Sequence, residues 1–246
     1  MRLLFIRHCE PNYRTDSLTE KGFHEAELLC KRMVREDFKV CYCSTMGRAM
    51  LTAEPFLKAM NREAIYCDWL REFSHPITLK DGSVAALPWD LKPDEWVLDE
   101  RHFDKDLWCK TDIMKSGDID RYAQEVAEKF DAVLAEHGYL RLSANRYKSV
   151  NPNHDTLVFV CHFGVTSVML GHLLGFSPIA LLHGTGAPTS GVTQVYTEEI
   201  QKGVASFRIH FYGDISHLYA ADEPLSFNPR LSECYGDPCH YDFGDN

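Results

Sequence analysis

The strongest constraint on this chain is an alternation of two hydrophobic periods. Short β-rich runs, Arg2–Ile6, Lys39–Cys43, Ala64–Cys67 and Asp155–Cys161, are separated by stretches whose apolar residues recur at helical spacing. The first such stretch, Thr19 to Arg35, carries Phe23, Leu29, Cys30 and Met33 as its apolar stripe. A second runs to Met60, with Ser44 or Thr45 as its candidate cap. A third, from Asp118 to a stop near Gly138, puts Tyr122, Val126, Phe130, Val133 and Leu134 on one face, and a fourth spans Gly164 to Leu174. Two later strands are expected at Val192–Thr197 and Ser206–Tyr212. Strands that alternate with helices build parallel sheets, because each return to the same edge needs a long crossover. The expected fold is therefore α/β, a three-layer sandwich with a mostly parallel central sheet flanked by helices.

The whole chain, residues 1–246, reads as one domain with two irregular parts. From Phe73 to Gly117 the regular periods stop, and Pro76, Pro88 and Pro93 alternate with Trp89, Trp96, Phe103, Trp108 and many charges. A stretch of that kind in an α/β chain serves either as a lid over a site or as a satellite core. From about Pro224 the tail is rich in Pro, Gly, Asn and Asp and is read as irregular.

Charge narrows the partners. With 26 basic against 36 acidic side chains the net charge is −10, which repels nucleic acid and anionic membranes. An anionic substrate would need a local cluster of cations. Between Thr156 and Thr197 the chain carries no Asp, Glu, Lys or Arg. Histidines, Pro178 and Pro188 and repeated Gly break that stretch into pieces too short to span a bilayer. The nine cysteines are an odd, dispersed set, several of them within apolar runs, and the first residues lack a signal-type apolar stretch. The expected setting is a reducing cytoplasm. Cys41 and Cys43 share a strand face, and Cys234, Cys239 and His240 lie close together in the tail, with pairing of Cys234 and Cys239 left open. Neither group completes a four-ligand spacing, so no metal and no cofactor are expected.

In open α/β sheets, ligands bind beyond the carboxyl ends of the strands. Three strand ends are polar here. The first ends in Arg7-His8, the second in Ser44-Thr45 with Arg48 one turn into the next helix, and LVFVC ends in His162. Taken singly, each has an ordinary reading as a strand-end hydrogen-bonding or ion-pairing residue. Together, two imidazoles and two guanidiniums on one edge suit a dianionic phosphoryl group, because arginine offers planar paired donors and a neutral histidine can attack phosphorus.

The pieces LLFIRHCEPNY, LTEKG, STMGRAMLTAEP and TLVFVCHFG, in that order, resemble the histidine phosphatase superfamily, also called phosphoglycerate mutase-like. The resemblance implies a nucleophilic His8 and a phosphate clamp of Arg7, Arg48 and His162. It also implies a carboxylate after the third strand that protonates the leaving oxygen. Glu72 in DWLREF takes that place, with Glu10 as the other candidate. Cys9 and Phe163 stand where the family usually has glycine, which adds bulk beside the pocket. The implied activity is hydrolysis of a phosphate ester, a small phosphorylated metabolite ahead of a phosphoprotein, through a phosphohistidine. A mutase is the nearest alternative, but FSHPITLKDG after Glu72 lacks the further arginine pair of mutases. A silent phosphate-binding module is the other. Cys9 is a conceivable thiol nucleophile, yet neighbours on an extended strand point to opposite sides, so only one of His8 and Cys9 can face the pocket.

Overall fold

The computed structural model describes residues 1–226 together with Cys234. All six expected strands and all four expected helices are present. The chain begins with β1 (Arg2–Arg7), α1 (Glu20–Met33), β2 (Val40–Ser44), α2 (Gly47–Ala59), β3 (Ala64–Cys67) and α3 (Ile119–Glu136). After a hairpin of β4 (Tyr139–Ser143) and β5 (Arg146–Ser149) come β6 (Thr156–Cys161), α4 (Phe163–Leu174) and the short α5 (Ile179–Gly184). The long β7 (Val192–Gln201) and β8 (Val204–Asp214) and a terminal turn of helix, α6 (Ser216–Tyr219), complete the described chain.

One sheet of eight strands runs in the order β3-β2-β6-β1-β7-β8-β5-β4. Its first half is parallel, and β1 pairs with β6 from Arg2 opposite Thr156 to Arg7 opposite Cys161. The second half is antiparallel, so the sheet is mixed rather than mostly parallel. The β4–β5 hairpin went unseen because its strands, YLRLS and RYKS, are short, half-exposed and interrupted by charge. It is held from outside: Arg141 donates twice to Asp131 of α3, at 2.7 and 2.8 Å, and His172 of α4 meets the same carboxylate at 2.9 Å.

Alternation along β1 serves both faces. Leu3 and Phe5 pack with Tyr42 and Phe159 beneath α3 and α4, whereas Leu4 and Ile6 pack with Cys41 and Cys43 beneath α1 and α2. At the centre of the first core Phe5 stacks on Phe159 with centroids 5.1 Å apart and meets Phe130 edge-on at 6.0 Å. The α1 stripe differs from the expected one. Phe23 is exposed, and Glu25 takes a buried place beside Ala26, Leu28, Leu29 and Met33.

Residues 73–117 are more ordered than expected. They form a two-stranded ribbon, Ile77–Thr78 with Val84–Ala85, and short helical turns at Pro93–Trp96, Glu100–Phe103, Trp108–Lys110 and Asp112–Ser116. Trp108, Ile113 and Met114 bury themselves in the α3–α4 core, while Phe103 stays exposed. Single turns of helix leave no sustained period to read. The open question of a Cys234–Cys239 pairing falls on Cys239, outside the described residues, as does the tail beyond Ser226 except for Cys234. Among the described residues no helix is long and apolar enough to cross a membrane. Phe5→Ala should destabilise the fold by about 3–5 kcal/mol, because it removes the ring shared by two aromatic contacts. Urea unfolding followed by circular dichroism would measure the loss.

Candidate active site

Because β1, β2 and β6 are parallel and in register, their carboxyl ends form one edge, and the polar residues named above meet there. Arg7, His8, Ser44, Arg48 and His162 are all buried. The rings of His8 and His162 lie 5.1 Å apart, centroid to centroid.

Each side chain is held in a definite role. Nδ1–H of His8 donates to the carbonyl of Cys9 at 2.7 Å; a carbonyl only accepts, so the neutral ring carries its lone pair on Nε2. Arg7 donates from Nη1 to the Ala187 carbonyl at 2.6 Å, and Arg48 from Nη1 to Asp16 at 2.6 Å. The second oxygen of Asp16 accepts from the Gly47 N–H at 2.7 Å, so one carboxylate fixes the start of α2 and its arginine together. A side chain at Gly47 would approach the Asp16 carbonyl to 2.2 Å, which explains the glycine. Nε of Arg7, Nε of Arg48 and Nδ1 of His162 are buried without a hydrogen-bond partner among the described residues.

Ser44 is the residue that sequence reading missed, having weighed it only as a cap. Its hydroxyl accepts from the Met46 N–H at 3.2 Å and lies 2.9 Å from Nε2 of His162. The Ser44 hydroxyl can donate to His162 or accept from it while also accepting from Met46. The motif signalled a helix start, and only the approach of β6 revealed the second partner.

Glu72 follows β3 and a helical turn at Asp68–Leu70. Its Oε1 accepts from the N–H groups of Phe73, Gly164 and Val165 at 2.8, 3.0 and 3.2 Å, the latter two at the N-terminus of α4. Arg71 turns away to Thr45 at 3.3 Å. A side chain at Gly164 would come within 2.2 Å of Trp89 and 2.7 Å of Glu72, so glycine here permits the close approach of both. Phe163 meets Trp89 edge-on at 6.1 Å and ties the 73–117 segment to this end of the site. Glu10, the other carboxylate considered, accepts instead from the Thr19 hydroxyl at 2.9 Å, at the start of α1. Cys9 turns into the core under α1 and α2, and burial drives its thiol well above the ordinary range, with Glu25 adding to the effect.

Electrostatics follow from burial among cations. Burial first, then Arg7 and Arg48, holds His8 well below the usual histidine range. Burial, His8 and the two arginines do the same to His162. Glu72 is pushed up by burial, partly offset by the Phe73 N–H and by Arg48 and Arg7. The edge thus combines neutral imidazoles, fixed cations and a carboxyl disposed to keep its proton. Among the described residues no cluster of three or more His, Cys, Asp or Glu side chains is disposed to hold a metal ion.

Comparison with known proteins bears on the fold and on the N-terminal third of the chain. Residues 3–79 match the sequence profile of the histidine phosphatase superfamily (branch 1). A segment of 84 residues is 31% identical to phosphoserine phosphatase 1 of Hydrogenobacter thermophilus, covering 30% of this chain and 40% of that protein. A weaker match, 24% over 127 residues, covers 26% of an Arabidopsis thaliana phosphatase, so the chain spans less than half of either curated relative it matches. Among solved structures, a mycobacterial glucosyl-3-phosphoglycerate phosphatase complexed with VO3 superposes with a TM-score of 0.58 at 16% identity, over 87% of this chain and 99% of that one. A phosphoserine phosphatase from Entamoeba histolytica with phosphoserine bound gives 0.57 at 17% identity, over 88% and 98%. These structural likenesses establish the fold. The profile match spans the segment that carries Arg7, His8, Arg48 and Glu72, so this N-terminal third of the chain is similar to the histidine phosphatase superfamily.

Proposed function

We propose that this protein hydrolyses the phosphate monoester of a small metabolite through a phosphohistidine formed on His8. The observation that carries the reading is the tautomer of His8. Nδ1–H is held by the Cys9 carbonyl, which frees Nε2 beside Nε of Arg7, Nε of Arg48 and Nδ1 of His162, all buried and unpartnered among the described residues. The nitrogen lone pair forms the N–P bond as the P–O bond to the alcohol breaks and its electron pair stays with oxygen. Charge on the phosphoryl oxygens falls to Arg7, Arg48 and His162. Glu72, anchored through Oε1, gives its proton to the leaving oxygen, then takes one from the water that attacks phosphorus and returns the electron pair to Nε2. By donating its hydroxyl proton to Nε2, Ser44 holds His162 in the tautomer that donates from Nδ1.

The names of the relatives support a small phosphate ester as substrate. Trp89 and Phe163, joined at the Glu72 end, act as the wall against the leaving group, and the 73–117 segment is read as the substrate-selecting part of the single domain. Cys9, Cys30, Cys41, Cys43, Cys67, Cys109 and Cys161 stand as thiols, in keeping with a reducing compartment such as the cytoplasm. No step calls on a metal, so chelator should leave turnover unchanged.

His8 should form a phosphoenzyme that is lost in acid and persists in base. A label that survives His8→Ala but disappears in Cys9→Ser would overturn the assignment. Glu72→Gln should slow an alkyl phosphate by about 10²–10⁴ and an aryl phosphate with a good leaving group far less. Equal losses on both substrates would remove Glu72 from the role of acid. Because His8 and His162 are depressed and Glu72 is raised, activity should persist on the acidic side of neutrality and decline as rising pH strips Glu72 of its proton. The pH dependence of kcat/KM measures this directly. His162→Ala should cost about 10²–10³ in kcat, as removal of one charge-stabilising donor does elsewhere. Ser44→Ala should cost less, since the imidazole stays but its tautomer is released.

A further inference from the structure

Glu25 lies in the middle of α1 and is fully buried. Among the described residues no lysine, arginine or histidine comes within ion-pair distance of its carboxyl. Oε2 accepts from the backbone N–H of Glu10 at 2.8 Å, and Oε1 accepts from the Thr189 hydroxyl at 3.0 Å. These donors belong to the two segments that build the phosphate end of the site. One is the turn after β1 that presents His8. The other is the loop before β7, whose Ala187 carbonyl holds Arg7. The same segments meet through Ser190 N–H to the His8 carbonyl at 3.2 Å and Arg7 N–H to the Gly191 carbonyl at 3.1 Å. Cys9 N–H donates to Thr52 of α2 at 2.9 Å. The Glu25 carboxyl is the side chain that ties both segments to α1.

A buried, unpaired carboxyl is costly, and an apolar side chain would suit its neighbours Ala26 and Leu29 better. Its retention therefore calls for a use. We propose that Glu25 is a positioning residue: its carboxyl clamps the His8 turn to the Arg7 loop, and its ionisation weakens the binding of a dianion at that site. The neutral acid donates to Thr189 and accepts from Glu10 N–H through its other oxygen, whereas the carboxylate accepts both bonds, so the clamp survives in either state. What changes is charge. Burial lifts Glu25 to about 7, opposed by the Glu10 N–H and Thr189 hydroxyl bonds, with the Glu10 carboxylate raising it further and Lys21 lowering it. The other titratable neighbours are the Cys9 thiol, which the Glu25 charge already reaches, and His217 of α6 behind Ser190, which burial holds at about 4 and thus neutral. As pH rises through neutrality a negative charge develops on Glu25, bonded to the backbone two residues after His8, the side chain that would face the substrate dianion.

The inference rests on the phosphate-site reading above, but its test reads binding rather than turnover, so the failure of one is distinguishable from the failure of the other. Tungstate is the probe, because it stays a dianion across neutrality. Its affinity would be measured by calorimetry at about pH 6 and about pH 8.5 in a Glu72→Gln background, which removes the raised carboxyl of Glu72 from the site. With Glu25 in place, affinity should fall by on the order of tenfold between the two conditions. With Glu25→Gln, whose amide reproduces the donor and acceptor of the neutral acid, affinity should stay flat and match the acidic value. Glu25→Leu should bind on the order of tenfold more weakly at both, and Thr189→Val, which loses one arm of the clamp, should fall between. A glutamine variant as pH-dependent as its parent would overturn the charge effect. Undiminished binding in the leucine variant, or in Thr189→Val should the leucine variant not fold, would overturn the clamp.

Discussion

The pairing of β1 with β6 is the constraint on which the rest of this molecule depends. With Arg7 opposite Cys161, the residues that follow the two strands emerge side by side, and His8 and His162 come within 5.1 Å without any direct bond between them. A shift of one residue would reverse the facing of every side chain on the strand, exposing Leu3 and Phe5 to the wrong layer and turning His8 into the core. The two hydrophobic cores therefore enforce the geometry of the site, since Phe5 and Phe159 can stack only in this register.

The cost of that arrangement is a cluster of buried positive charge. Arg7 and Arg48 sit close enough to depress both imidazoles, and among the described residues only Arg48 of the two has a carboxylate partner, Asp16. Backbone carbonyls and helix N-termini supply the remaining order: Ala187 holds Arg7, Cys9 holds His8, and the first N–H groups of α4 hold Glu72. Rigid backbone partners keep these donors and dipoles already oriented, so that an anion would meet them without reorganisation.

The two departures from the family's usual glycines both have packing reasons. Cys9 fills the core beneath α1 and α2, where a small apolar side chain fits. Phe163 packs against Trp89 and binds the 73–117 segment to the site, while Gly164, the next residue, keeps the space that Trp89 and Glu72 occupy. The added bulk is thus accommodated beside the polar edge of the sheet.

From sequence alone, the alternation of periods determined the α/β layers, and the polar residues after three apolar runs marked the site edge, because both are local properties of a strand and its end. Arg7, His8, Arg48 and His162 were legible as one polar edge for that reason, whereas Glu72 was suggested only by the resemblance to a known family. The antiparallel half of the sheet was not, since a charged hairpin such as Tyr139–Ser149 gains its stability from docking on α3 and α4. Nor were the partners of Ser44, which lie 118 residues away at His162, or the burial of Glu25, which an α1 stripe drawn from apolar residues put on the wrong face. A carboxyl buried by contacts with Glu10 and Thr189 leaves no hydrophobic signal, and only the tertiary structure, by closing the loop at Thr189 over α1, could decide which face of the helix is inside.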